Sequence, residues 1–351
     1  IGQPPVLLGD VKPELIQTSL DDKLFNLGFF DAEVSYNIKK MKNTGKIEYQ
    51  AQVSPSYEIN EVIFPKDTST ISGLLDSVSD KSLLKKGNRF DLERLSNERE
   101  RLQNLMKDEG FYYFSEENIL FEVDSTVSEN RQIDIYLKVK ETTPQEALRR
   151  YNINEIHIYP NYTFTTRDSL DQQTSMTVDS MQYYGDGQEI NPQAITRAVL
   201  LQPNDLYSRK LHTKSLNRLI GLGIFKYVDI RFYDDSVSNK LNAAVLLSSL
   251  KTKSIRLQVE MVSKSNNFLG PGIDVTYTNR NLLGGAELLK ISLRSSFETQ
   301  ISGQQNKPLN SYEVGLESSL TIPRFITPFN FRNEYRFVPQ TEIGLGGSFM
   351  D

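Results

Sequence analysis

The chain has 351 residues, of which 38% are apolar and 24% charged, with a net charge of −5 and no cysteine. That length holds two to four domains, and the composition is that of folded protein. Interspersed acidic and basic residues leave no phosphate-tracking surface, so nucleic acid is not an expected partner, and without cysteine neither disulfides nor thiolate metal sites can form. No run approaches the roughly 18 consecutive apolar residues of a membrane-spanning helix. The opening Ile1-Gly2-Gln3-Pro4-Pro5 carries neither a basic nor an apolar signal region, so any targeting segment is expected to have been removed.

A helix is predicted over 13–27, with Leu20, Leu24 and Leu27 at helical spacing. It runs into Gly28-Phe29-Phe30 and then into two strands, 32–39 and 46–53. A third strand follows over 57–64, ended by Pro65, and a helix over 70–78 with Ile71, Leu74 and Leu75 on one face. A second helix opens at Asp91, a side chain able to accept orphan N–H groups, and stops before Gly110-Phe111-Tyr112. Strands over 118–123 and 132–139 close this stretch, joined by a polar turn at Ser128-Glu129-Asn130. The same order then recurs: a strand over 153–159, a helix start at Asn191-Pro192, a helix over 211–222 ending at Gly223-Ile224-Phe225, and strands over 227–233 and 240–247.

The thrice-repeated glycine and apolar pair has a physical reason. Glycine enters the left-handed conformation that ends a helix without a Cβ penalty, and the apolar pair docks the turn. Self-similarity of this kind predicts a tandem array of small α+β modules. The middle copy reads β-α-α-β-β; its three-stranded sheet should bury one face under two helices. The third copies the plan with a polar insertion at about 160–189, which includes Tyr183-Tyr184-Gly185-Asp186-Gly187 and reads either as a hairpin-bearing surface insertion or as a functional loop. The first copy has no residues for its opening strand and first helix, so a preceding piece is expected. Modules are drawn at 1–55, 56–144 and 145–252.

From residue 253 to 351 long alternation replaces helices. Ile255, Leu257, Val259 and Met261 face one way, and Arg256, Gln258 and Glu260 the other. Ile273, Val275 and Tyr277 alternate likewise with polar neighbours, as do Leu289, Ile291 and Leu293; Tyr312, Val314 and Leu316; and Phe329, Phe331, Tyr335 and Phe337. Period-two alternation of this length marks strands of a membrane barrel, apolar toward lipid and polar toward the lumen. A soluble antiparallel sheet with one wet face alternates in the same way. Full charges on the polar face, and no helix left to cover the apolar one, favour the barrel. Five strands fall short of the about eight a bacterial barrel needs, so further strands are expected.

Three such modules followed by these strands resemble the BamA/TamA superfamily, in which POTRA domains lead into an outer-membrane barrel. The resemblance is carried by Leu201-Gln202-Pro203-Asn204-Asp205-Leu206-Tyr207 and the run from Leu219 to Val228, which are similar to the last POTRA domain. It is carried also by Gly270-Pro271-Gly272-Ile273 with Asn279-Arg280-Asn281-Leu282-Leu283-Gly284-Gly285-Ala286-Glu287, similar to the first barrel turn. The insertion is similar to the TamA-like TamL branch of Bacteroidota. The implied fold class is α+β: tandem β-α-α-β-β POTRA modules followed by the first strands of an antiparallel outer-membrane β-barrel. The implied place is the Gram-negative outer membrane, modules in the periplasm. The implied partners are unfolded outer-membrane protein clients, outer-membrane lipid and either a TamB-like periplasmic partner or other assembly subunits.

An exposed edge strand offers unpaired N–H and C=O groups that an extended peptide can join with little sequence choice. The resemblance implies that the strand after each glycine turn is that edge, which places client contacts at Val34 and Tyr36, at Ile119, Phe121 and Val123, and at Val228 and Ile230. It further implies that the first barrel strand, 254–262 with Ile255, Leu257, Val259 and Met261, is a lateral seam. The bland alternative is that these strands only pack modules together.

Chemistry is not expected. His157 and His212, the two histidines, lack partners at ligand spacing; no nucleophile elbow or calcium ladder is present, and Gly284-Gly285 opens no phosphate-binding helix. No enzyme, cofactor or metal is therefore expected. Assembly or insertion of outer-membrane proteins is the leading reading; a two-partner-secretion export pore and a periplasmic scaffold are the alternatives.

Overall fold

The computed structural model describes residues 7–42, 44–128, 130–163, 174–185, 187, 190–235, 238–263, 268–300, 310–326 and 340–351. The chain divides into two compact units, Ile1–Arg149 and Arg150–Asp351.

The first unit opens with helix α1 (Pro13–Asn26) and the antiparallel pair β1 (Glu33–Lys40) and β2 (Gly45–Gln52). Pro13 starts the helix because a first-turn residue loses nothing by lacking an N–H. The helix ends as its glycine predicts. Gly28 has φ +85, its N–H reaches the Phe25 carbonyl at 2.9 Å, and the Phe29 N–H reaches Leu24 at 3.0 Å. These two bonds satisfy the last carbonyls that the helix itself leaves open.

The second module runs β3 (Glu58–Ile63), α2 (Thr70–Ser77), α3 (Leu92–Asp108), β4 (Ile119–Ser128) and β5 (Gln132–Val139), the β-α-α-β-β order read from the sequence. Its sheet order is β3-β5-β4, with β3 parallel and β4 antiparallel to the central strand. Ser69 and Asp91 cap the two helices by accepting from Ser72 and Glu93 N–H. Leu75, Leu102, Met106, Ile133 and Ile135 fill the core with no exposed surface; each large side chain contributes roughly 1.5–3 kcal/mol by leaving water. Glu98 is buried among them, gripped by Arg101 at 2.7 and 2.8 Å and by the Leu83 N–H at 3.0 Å.

The Gly28 turn also joins the two modules. Its carbonyl accepts the Tyr57 N–H at 2.8 Å, and Phe30 packs on Tyr57 and Phe90 with ring centroids 4.8 and 5.1 Å away. Arg131 ties Asp31 at 2.6 Å to the Pro55 carbonyl at 3.3 Å and lies over the Tyr57 ring. The apolar residue after the glycine thus docks on the following module as well as on its own helix.

The second unit begins with β6 (Asn152–Tyr159), the hairpin β7 (Ser175–Val178) and β8 (Met181–Tyr184), α4 (Pro192–Thr196), α5 (Arg209–Gly221), β9 (Phe225–Asp235) and β10 (Lys240–Ser249). The helix start read at Asn191-Pro192 is present, with the Asn191 side chain accepting the Gln193 N–H at 3.0 Å. The sheet order β7-β8-β6-β10-β9 corrects the three-stranded plan: the insertion supplies two strands, and β8 lies parallel to β6 through His157↔Gln182 and Ile158↔Tyr183. The expectation of a single buried face is also corrected. Residues 243–248 of β10 are buried on both faces, the second formed by Tyr159, Tyr162, Ala244 and Leu246.

Five antiparallel strands follow in chain order: β11 (Lys253–Ser263), β12 (Phe268–Asn279), β13 (Leu288–Gln300), β14 (Asn310–Ile322) and β15 (Thr341–Met350). The sheet is open, with β11 and β15 at its margins. Leu257, Val275, Leu293 and Leu316 stand opposite one another in one row, and Gln258, Asp274 and Arg294 in the next. Register therefore keeps apolar and charged residues on opposite faces. The segment with Phe329, Phe331, Tyr335 and Phe337 lies outside the described residues, and β15 is a strand the alternation did not predict. The β12–β13 turn is organised by Glu287, whose carboxylate accepts the Leu283 and Gly285 N–H groups at 3.1 and 3.0 Å. Its Gly284, at φ +91, passes a carbonyl to the Asn191 N–H at 2.9 Å, joining the sheet to the module before it.

Candidate functional site

Backbone direction along each edge strand follows from single hydrogen bonds, because antiparallel residues alternate between facing the partner and facing away. In the second module Asn118 O accepts Lys140 N–H at 2.9 Å. The register pairs Leu120 with Lys138 and Glu122 with Tyr136, so these face β5, and Ile119, Phe121 and Val123 point outward. In the first module Met41 N–H reaches Thr44 O at 2.8 Å, which leaves Val34, Tyr36 and Ile38 pointing outward. In the third, the carbonyls of Asn239 and Leu247 turn to the β6 side, toward Asn152 and Tyr162. Alternate residues of β10 therefore face β9 and engage Tyr227, Asp229 and Arg231, leaving Val228 and Ile230 outward. All seven edge residues singled out from the sequence carry the outward-facing backbone groups.

The three edges differ in what they offer. At β1 the Val34 N–H already donates to Asp21 Oδ1 at 2.8 Å, and the Val34 carbonyl accepts from Gln17 Nε2 at 2.6 Å. Only the stretch from Tyr36 onward is open, and the Tyr36 hydroxyl is bound to Glu14 at 2.9 Å, which raises the phenol above its ordinary pKa. At β4 the Ile119 N–H closes a short 3-10 turn onto Glu116, so Phe121 and Val123 are the open donors. Beyond Asp124 the strand bulges, with four residue steps against two on β5. Asp124 accepts the Thr126 N–H and hydroxyl at 2.8 and 2.7 Å, bonds that hold its carboxyl below the usual range. A bulge of this kind ends strand addition.

At the start of β4 lies a groove of about 290 Å3 bounded by Ser96, Arg99, Glu116, Glu117, Ile119, Leu120 and Lys140. The opposite edge, β3, is covered at its start: Ile59 N–H and O pair with Asn88 and Gly87, and Phe90 N–H with Tyr57 O. At β9 the Arg231 guanidinium bridges Asp229 at 2.8 Å and the Tyr227 hydroxyl at 3.1 Å, which holds its pKa above the ordinary arginine value. The third module's other margin is taken by the insertion hairpin.

Ile255, Leu257, Val259 and Met261 sit on the free margin strand β11. They are 74, 67, 70 and 69% exposed, so nothing in the chain covers them among the described residues. Leu293, Val314, Leu316 and Leu345 extend the same uncovered apolar wall. No group of three or more acidic or histidine side chains suited to a metal is found among the described residues. None of the described helices is long and apolar enough to cross a membrane, a fact that does not bear on strands.

No protein-family model and no curated protein matches the sequence. Solved structures do. POTRA domains 3–5 of Haemophilus influenzae BamA align at 13% identity and a TM-score of 0.40, over 68% of this chain and 81% of that one. BamA from Haemophilus ducreyi lacking POTRA domains 1–3 aligns at 13% identity and 0.40, over 84% of this chain and 51% of that one. CdiB from Acinetobacter baumannii aligns at 10% identity and 0.35, over 97% and 61%. The chain thus spans about half of the Haemophilus ducreyi structure it resembles.

Proposed function

We propose that this chain is part of a non-enzymatic outer-membrane protein of the BamA/TamA type, in which periplasmic POTRA modules receive unfolded client strands beside a membrane sheet. The observation that carries the reading is the register of β11–β15. It gathers the apolar side chains on one uncovered face and the charges on the other, the two-solvent surface that lipid on one side and water on the other require. Open strand edges in the preceding modules supply the second element, a means of holding polypeptide by its backbone. The insertion hairpin favours the TamL-like branch within this reading, with a TamB-like subunit as periplasmic partner.

Site-specific photo-crosslinking in cells tests it. Probes along 119–124 and 227–233 should capture newly exported outer-membrane polypeptide, and protease added outside intact cells should spare residues 57–252. Crosslinks confined to the 160–189 insertion would refute the edge mechanism; cleavage of the modules in intact cells would refute the placement.

A further inference from the structure

Counting back eleven residues from each turn glycine reaches Gln17, Arg99 and His212. In every module this helix position points its side chain at the edge strand. Gln17 donates to the outward carbonyl of Val34. Arg99 lays its guanidinium over the ring of Phe121 at 5.4 Å, yet its buried Nε has no hydrogen-bond partner, and it forms no ion pair among the described residues. His212 packs edge-on against Phe232 at 5.1 Å, and its buried Nε2 is likewise unpartnered. A buried polar atom left unmatched costs about 1–3 kcal/mol; at this shared position Gln17 meets that need on the edge strand itself, while Arg99 Nε and His212 Nε2 do not.

We propose that this helix position decides which module takes an added strand. In the first module Gln17, with Asp21, occupies the very backbone groups of Val34 that an incoming strand needs, and the edge is closed there. In the second, Arg99 leaves the Phe121 and Val123 backbone free, lies over the Phe121 ring and borders the groove at the start of the strand, and its guanidinium binds an acceptor oxygen of the docked polypeptide. His212 holds the same place in the third. The chemistry recognised is a hydrogen-bond acceptor on an extended chain, from a backbone carbonyl or a side-chain carboxylate. This rests on the strand-docking reading above and adds the residue that selects among the edges.

The test uses the folded full chain and two short peptides alternating Val and Thr, one carrying a single Asp, with photo-crosslinkers on β1 and β4. Wild type should crosslink at β4 and not at Val34. Arg99→Ala should weaken capture on the order of tenfold, as expected for a charge-assisted bond. Equal loss for both peptides assigns a carbonyl, and loss for the Asp peptide alone a carboxylate. Gln17→Ala with Asp21→Ala should create new crosslinks at Val34 in protein whose melting midpoint shows the module still folded. The proposal is overturned if Arg99→Ala leaves β4 capture unchanged or if the folded double variant leaves Val34 silent. If wild type captures neither peptide at any edge, the docking reading itself falls.

Discussion

Proline placed at neighbouring positions of β4 separates the free side of the strand from the paired side. Glu122 faces β5 opposite Tyr136, so Glu122→Pro removes a ladder bond and leaves the Tyr136 carbonyl without its donor. The lost bond and the unmatched acceptor together cost about 2–4 kcal/mol. Val123 points its N–H outward, and proline is tolerated where the missing donor faces solvent; Val123→Pro should cost below about 1 kcal/mol of stability. Its effect belongs to binding instead. One backbone bond worth about 1 kcal/mol corresponds to roughly fivefold weaker capture of an extended peptide, while Val123→Thr, which keeps the N–H, should bind normally. Denaturant melts and peptide titration on the same samples give both numbers. If Val123→Pro unfolds the module as severely as Glu122→Pro, the backbone parity is wrong. If it melts and binds like wild type, β4 is not a docking edge.

Three further outcomes follow from other parts of the chain. Gly28→Ala sets a Cβ 3.0 Å from the Phe90 carbonyl at positive φ, whereas Gly223→Ala meets no atom within 4 Å; the first should cost about 2–3 kcal/mol and the second about 1. Hydrogen exchange at the Tyr57 amide, held by Gly28, reads the first, and equal protection in both variants would refute the joint. Leu257→Arg should cost about 2–4 kcal/mol in the bilayer and deplete the membrane-assembled fraction, while Gln258→Arg on the charged face should not; equal behaviour would indicate a sheet in water. His212 has its pKa pushed down by burial, with Arg209 adding to the fall and Asp229 opposing it. The native state therefore prefers the neutral ring, so its stabilising share is whole above the ordinary value of about 6.5 and fades as pH drops below that. His212→Gln should flatten that slope in acid melts, and an unchanged slope would refute it.

Much of the architecture was legible because its signals are local. Each glycine turn, the Asp91 and Asn191 caps and the leucine spacing of α3 concern residues within one or two helical turns of each other. The insertion hairpin was legible only as one of two readings, since β7 and β8 are four-residue strands and the pairing of β8 with β6 is a long-range event no local pattern encodes. Strand β15 escaped because Gly344, Gly346 and Gly347 dilute its alternation. The closure of β1 at Val34 escaped for a third reason: it depends on Gln17 and Asp21 of a helix facing the strand, a contact that only the packed module brings about.

The parity of the edges has a consequence for how such modules can evolve. A strand residue's side chain and its backbone groups are set by the same alternation. In each module at least one residue with outward backbone, Val34, Phe121 or Ile230, also buries its side chain in the core. At those positions the side chain is fixed by packing, and what faces outward is bare peptide, the part of the strand that substitution does not alter. Selectivity between modules must then come from elsewhere. The positions free to vary are those that flank the edge without forming it, which are the bulge after Asp124 and the helix side chain facing the strand. If the helix position selects as proposed, a glutamine there shuts the start of the edge, as at Val34, and an arginine leaves it open, while sheet and core stay as they are.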